Sequence, residues 1–154
     1  MASPRHRSSG FTLVELVATL TIAAILAAVA GPRLLSSQPF AARAYADDLA
    51  AALREAHAVA MASGCPVRFT IDPTGYAAMQ RAPSGTHCSS GGAWSTPVQR
   101  GDGRPLSAAP PAAANVAAAS TLVFGSDGAL PAGASIAIGT HVVSVDAGGW
   151  VQRL

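Results

Sequence analysis

The sequence predicts an α+β protein in which a long N-terminal helix precedes a small antiparallel sheet. Three observations lead to this fold class: an apolar run over residues 11–31, a helical periodicity that ends near residue 63, and two-residue alternation that begins at Val67. With 154 residues, the chain has the length of a single domain.

The composition excludes several classes of function. The chain has ten arginines and no lysine, which excludes a Walker-type phosphate loop, a Schiff-base enzyme and a Ser-Lys pair. The net charge is +2, and both surplus charges, Arg5 and Arg7, precede the apolar run. The remaining chain is balanced, which argues against a nucleic-acid-binding protein driven by bulk charge.

The apolar run is long enough to cross a membrane as a helix. Residues 11–31 contain one charged residue, Glu15, and a helix of that length spans about 31 Å. The preceding residues Arg5, His6 and Arg7 place the N-terminus in the cytoplasm by the positive-inside rule. We therefore expect the residues after the run to lie on the other side of the membrane.

Three interpretations of the run compete. It is a plain anchor, a secretory signal peptide cut after Ala28-Val29-Ala30, or a segment in which Glu15 has a specific role. A carboxylate near the start of a membrane helix costs about 2.5–3.5 kcal/mol on insertion scales. An anchor or a disposable signal has no use for such a charge, which favours the third interpretation.

The stretch Gly10-Phe11-Thr12-Leu13-Val14-Glu15-Leu16 resembles the type III signal of type IV prepilins and type II secretion pseudopilins. In that family a membrane aspartyl prepilin peptidase cuts after the glycine and methylates the new N-terminal amine. The resemblance implies cleavage between Gly10 and Phe11 and N-methylation of Phe11. It also implies that Glu15 of an incoming subunit pairs with the Phe11 amine of its neighbour during filament assembly.

The resemblance also implies a pilin-like stalk helix that continues beyond the membrane. In this family the long helix often bends at proline, so we interpret Pro32 and Pro39 as bends and not as ends. Gly64 and Pro66 end the helix, and His57 is interpreted as a surface or half-buried side chain, not a ligand. The apolar stripe of the stalk's second half comprises Tyr45, Leu49, Leu53 and Ala56 or Ala60.

After the stalk, apolar and polar residues alternate in short strands separated by turns. The predicted strands are Val67–Ile71, Tyr76–Arg81, Leu122–Phe124, Ser135–Ile138, His141–Val145 and Trp150–Gln152. No helix or strand is predicted for residues 82–121, and an Ala/Pro-rich loop near 105–120 is expected to be irregular. The predicted divisions are a leader at 1–10, a helix at 11–64 whose membrane part is 11–31, and a periplasmic β-rich domain at 65–154.

The C-terminal part has a short strand ending in Phe124, the turn Ser126-Asp127-Gly128 and the closing sequence VVSVDAGGWVQRL at 142–154. These features, over roughly the last 35 residues, resemble the GspH/FimT group of minor pseudopilins, which close on a similar strand-turn-strand pattern. Some members of that group take up DNA through a basic cluster in the final turn and strand. Here only Arg153 occupies that region, and Trp150 is expected to be a core residue. A weak DNA contact at Arg153 remains an alternative, but one arginine argues against nucleic acid as a partner.

The cysteines and the remaining polar residues suggest structure and not catalysis. Cys65 and Cys88 lack the spacing of a metal site, and in an oxidising compartment they would form one disulfide, with two free thiols as the alternative. No convincing catalytic set, metal site or cofactor site is found, so the chain is not expected to be an enzyme. His87 beside Cys88 is adjacent only in sequence.

The resulting expectation is a minor pseudopilin of the type II secretion pseudopilus, with a minor type IV pilin as the alternative. A secreted enzyme or binding protein with an ordinary signal peptide is the alternative from another class. The expected partners are prepilin peptidase, other pseudopilins or pilins, the inner membrane and its assembly platform. The expected location is the bacterial inner membrane, single-pass, with incorporation into a periplasmic filament after cleavage.

Overall fold

The computed structural model describes residues 12–34, 38–84, 87–88, 91–112 and 114–154. Gly10 and Phe11, the predicted cleavage and methylation positions, lie outside this range. The chain divides into two units, residues 1–37 and Gln38–Leu154. The second half of the predicted stalk therefore belongs to the same unit as the strands.

The first helix, α1, comprises Leu13–Leu34. Thr12 precedes it, and α1 continues two residues past Pro32, so this proline does not end the helix. The prediction of a single stalk helix crosses residues 35–37, which lie outside the described residues.

The second helix, α2, comprises Gln38–Ser63. Pro39 is its second residue, a position where the missing N–H has no intrahelical partner to lose. The helix is followed by Gly64 in the left-handed region at φ +64°, which confirms the predicted cap. The predicted stripe is confirmed, since all five of its members are buried: Tyr45, Leu49, Leu53, Ala56 and Ala60.

Strand β1 (Val67–Asp72) forms an antiparallel hairpin with β2 (Gly75–Arg81), as predicted. The turn is fixed by the Asp72 carboxylate, which accepts hydrogen bonds from the N–H groups of Thr74 at 2.7 Å and Gly75 at 3.1 Å. These bonds, led by one from the Thr74 hydroxyl, lower the pKa of Asp72. Alternate residues are buried in β1 and in the first half of β2.

The single predicted sheet is instead two larger sheets and a short hairpin. The remaining strands are β3 (Pro83–Ser84), β4 (His87–Cys88), β5 (Trp94–Pro97), β6 (Ser107–Ala108), β7 (Ser120–Phe124), β8 (Ala134–Ile138), β9 (His141–Val145) and β10 (Val151–Arg153). The five-stranded sheet has the order β5-β2-β1-β7 with β6 also on β2, and the three-stranded sheet has the order β10-β9-β8. Strand β8 pairs with β9 and not with β7, so the last three strands form a sheet of their own.

The core lies between α2 and the two sheets, and α2 contacts β1, β7, β9 and β10. Its largest fully buried side chains include Phe69, Phe124, Leu49, Leu53 and Ile138. The segment at 82–121, for which no element was predicted, contains the short strands β3 to β6, and the loop expected near 105–120 is mostly irregular where it is described. The segment also supplies the buried residues Val98, Leu106 and Val116.

The expectation that Trp150 is a core residue is wrong. Its side chain is 68% exposed, whereas the next residue, Val151, is buried. Successive residues of an extended chain point to opposite sides, so burial of Val151 turns Trp150 outward.

Candidate functional site

The candidate assembly site begins at the N-terminal end of α1, where Thr12 caps the helix. The backbone N–H of Glu15 donates to Thr12 Oγ1 at 3.3 Å, and the N–H of Leu16 donates to the Thr12 carbonyl at 3.2 Å. Thr12 and Glu15 have the spacing of a capping box, with the acid in the first turn. Sequence reasoning missed this local role, although the T-x-x-E spacing signals it.

The cap does not by itself account for Glu15. An acid in the first turn of a helix gains about 0.3–1 kcal/mol from the macrodipole. This is less than the insertion cost of about 2.5–3.5 kcal/mol for a carboxylate within an apolar membrane helix. The cap therefore leaves most of that insertion cost uncompensated.

From Leu13 to Ala28 the side chains of α1 are apolar apart from Glu15, Thr19 and Thr21. All residues from Thr12 to Ala28 are exposed, and Leu13, Leu20 and Ile25 keep 79%, 62% and 66% of their surface. The hydroxyls of Thr19 and Thr21 donate to carbonyls of their own helix at 2.9 and 2.8 Å. A helix that is apolar all round requires a non-aqueous surrounding, either lipid or other apolar helices.

Counting only the residues that the structure describes, no helix is both long and apolar enough to cross a bilayer.

A polar network joins α2 to the five-stranded sheet. The Tyr76 hydroxyl donates to Asp48 Oδ2, while Arg100 donates to Asp48 Oδ1 at 3.3 Å and to the Tyr76 oxygen at 2.5 Å. Burial, and then the hydrogen bond to Asp48, raises the pKa of Tyr76. Nothing local in the sequence signals this network, because its members lie on α2, β2 and the segment after β5.

Tyr45 lies beside this network but outside its hydrogen bonds. Its ring centroid is 6.0 Å from that of Tyr76, and its buried hydroxyl has no hydrogen-bond partner among the described residues. Burial, and then the nearby Asp48 carboxylate, raises the pKa of Tyr45 to about 12.

The other predicted residues lie in the Gln38–Leu154 unit. Arg153 Nε is 2.9 Å from Asp47 Oδ1, so its charge is already paired with an acid of α2. Cys65 and Cys88 are joined by a disulfide, with Cα atoms 5.6 Å apart. Among the described residues, no three His, Cys, Asp or Glu side chains are grouped to hold a metal ion.

The N-terminal segment and the α+β unit define a type IV pilin or pseudopilin. The family described as the prokaryotic N-terminal methylation motif matches residues 5–31, and the family described as type II transport protein GspH matches residues 45–151. The second match covers more than half of the chain, and the chain therefore belongs to the GspH family. These families are structural filament proteins and not enzymes.

One curated relative is a pilin. The chain is 44% identical over 62 residues to the type IV narrow pilus major component PilA5 of Thermus thermophilus. The matched region is 39% of this chain, and the chain spans about half (53%) of the relative's length. No solved structure matches the chain.

Proposed function

We propose that the chain is a minor pseudopilin, a structural subunit of the type II secretion pseudopilus. The single observation that supports this most strongly is the GspH match over residues 45–151 downstream of an N-terminal methylation motif at 5–31. In this role α1 anchors the precursor in the inner membrane, and the Gln38–Leu154 unit lies in the periplasm. The subunit then joins the filament through its apolar helix.

Processing creates the cation that Glu15 requires. Cleavage by prepilin peptidase after Gly10 frees an amine on Phe11, and Glu15 of an incoming subunit pairs with that amine in its neighbour. Both charges are desolvated among apolar helices, so loss of one partner costs about 3–5 kcal/mol. Thr12 remains with the mature chain, so the helix cap persists after cleavage.

The role of Glu15 is tested by complementing a deletion strain with wild type, Glu15→Leu or Thr12→Ala. The capping bond uses the backbone N–H of residue 15, so Glu15→Leu removes the carboxylate without removing that bond. We expect Glu15→Leu to be cleaved and yet to support little secretion of folded proteins. Thr12→Ala loses only the cap and is expected to retain most secretion; normal secretion by Glu15→Leu would contradict the proposal.

A minor type IV pilin is the second candidate, and the identity to PilA5 favours it. Both systems use the same signal and the same kind of helix. The deletion strain separates them: loss of protein secretion supports the pseudopilin, whereas loss of twitching or transformation with normal secretion supports the pilin.

A further inference from the structure

The outer face of the five-stranded sheet, which faces away from α2, carries two arginines beside a tryptophan. Arg68 of β1 lies on this face because its neighbours Val67 and Phe69 are fully buried on the other. Arg81 of β2 lies opposite Trp94 of β5 in the strand register. Strand pairing therefore brings together residues that are distant in sequence.

Both guanidinium groups stack on the same indole. The Cζ atom of Arg68 is 5.4 Å from the centroid of the Trp94 ring, and that of Arg81 is 4.5 Å from it. The two cations are thus at most about 10 Å apart, close enough for like charges near a protein surface to repel. All three side chains are half-buried.

Neither arginine has a carboxylate partner among the described residues. Arg68 Nε is buried without a hydrogen-bond partner, and Arg81 donates to the Gly92 carbonyl at 2.8 Å. By contrast, three other arginines of the described chain are each paired with an aspartate: Arg100 with Asp48, Arg104 with Asp102 and Arg153 with Asp47.

The surroundings of the two arginines are apolar. Met79 and Val123 flank Arg68 in the register, and Pro97 pairs with Met79. The acidic residue on the same face of β1 is Asp72, which lies four residues further along the strand, about 13 Å from Arg68. Its carboxylate already accepts a hydrogen bond from the Thr74 N–H in the turn that follows β1. The face therefore combines apolar surface with positive charge that has no internal counterion.

We propose that Arg68, Arg81 and Trp94, here called the Arg–Trp surface, bind an acidic segment of a partner protein. Carboxylates of that segment pair with the two guanidiniums, and an apolar side chain between them packs on Trp94 and Met79. A nucleic acid fits less well, because two cations neutralise only about two phosphates and leave binding weak at physiological salt. This inference goes beyond the filament role and does not depend on it.

The test uses the full-length protein in a non-ionic detergent with Trp150→Phe, which leaves Trp94 as the single tryptophan. The probe is an acetylated peptide that alternates glutamate with phenylalanine, titrated against Trp94 fluorescence. Its control is the same peptide with glutamine for glutamate. We expect saturable binding of the acidic peptide alone, weakened several-fold between about 50 and 300 mM salt.

Substitutions in the protein localise the binding. Arg68→Gln and Arg81→Gln are each expected to weaken it about threefold, and the double substitution about tenfold. Arg104→Gln is the matched control, because this exposed arginine is paired with Asp102 and is not a member of the Arg–Trp surface; the variant should bind the peptide as wild type does. Circular dichroism checks that each variant folds.

Three results would each overturn the proposal: equal binding of the glutamine peptide, wild-type affinity in Arg81→Gln and the double variant, or tighter binding of a duplex oligonucleotide than of the acidic peptide. If the Arg68 variants do not fold, Arg81→Gln and the salt titration of wild type decide the question alone.

Discussion

At the scale of single residues, two neighbouring tyrosines have opposite hydrogen-bonding states. The Tyr76 hydroxyl bonds to a carboxylate and a guanidinium, whereas the buried Tyr45 hydroxyl has no partner among the described residues. Hydrogen bonds to charged groups contribute about 1.5–3 kcal/mol, while a buried hydroxyl without a partner is a net cost. The pair therefore provides a matched test of the polar network.

We expect Tyr76→Phe to lower the free energy of unfolding by about 1.5–3 kcal/mol, because it removes both hydrogen bonds. Tyr45→Phe is expected to change it by less than about 0.5 kcal/mol, or to raise it, because no bond is lost. Urea denaturation of the two variants measures both values. Equal destabilisation by the two substitutions would contradict a stabilising role of the Tyr76 hydroxyl bonds.

The same tyrosines make stability depend on alkaline pH. The pKa of Tyr45 is raised to about 12 and that of Tyr76 is also raised, whereas an unfolded tyrosine titrates near about 10. Above that pH the unfolded chain loses protons that the folded chain retains, so the free energy of unfolding falls as pH rises. Denaturation midpoints measured from about pH 9 to 11.5 should fall steadily, and a Tyr45→Phe/Tyr76→Phe variant should show a flatter profile.

At the scale of elements, two glycine turns hold α2 against the sheets. Gly128 follows β7 and Gly149 precedes β10, both have positive φ, and both leave no room for a Cβ beside the His57 imidazole. His57 also packs against Phe124, with ring centroids 5.8 Å apart. His57, expected to be a surface or half-buried side chain, is half-buried, and its imidazole explains why these turns require glycine.

Gly149→Ala is expected to be more destabilising than Gly103→Ala. At position 149 a Cβ would lie 2.5 Å from the Gly128 carbonyl oxygen and 2.5 Å from His57 Cδ2, in addition to the strain of φ +82°. Gly103 has a similar φ of +80° and open space, so its substitution costs only about 1 kcal/mol of backbone strain. We expect about 1–3 kcal/mol more at Gly149 in chemical denaturation; equal losses would contradict the packing role of His57.

The disulfide connects the turn after α2 to strand β4. In the chain-entropy model, closing a loop with a sequence separation of 23 stabilises the fold by about 3 kcal/mol. We predict that periplasmic protein has no free thiol and that a Cys65→Ser/Cys88→Ser variant unfolds at a lower temperature. Thiol labelling with intact-mass measurement checks the first point; two labelled cysteines in native protein would contradict it.

Elements with strong local periodicity could be predicted from sequence, and those set by distant pairing could not. The α2 stripe and the β1–β2 hairpin follow from spacing within the segment itself. Strands β3, β4 and β6 have two residues each and offer no period to detect, and Leu106 is buried by contacts to distant residues. The Arg–Trp surface was missed for the same reason, since its members lie on three strands.

At the scale of the whole molecule, the chain combines two parts with different solvent requirements. The Gln38–Leu154 unit buries an apolar core between α2 and the sheets, whereas α1 exposes apolar side chains from Leu13 to Leu26. An exposed apolar helix gains stability only where lipid or other helices surround it. A membrane precursor that later joins a helical filament meets this requirement in both states.

The most direct test of this account is the N-terminal residue of the mature protein. Mass spectrometry of the N-terminal peptide, from protein recovered from cells, distinguishes the alternatives. We predict a chain that begins with N-methylated Phe11. A chain that retains the basic leader, or one that begins near Gly31 after signal peptidase cleavage, would contradict the assignment.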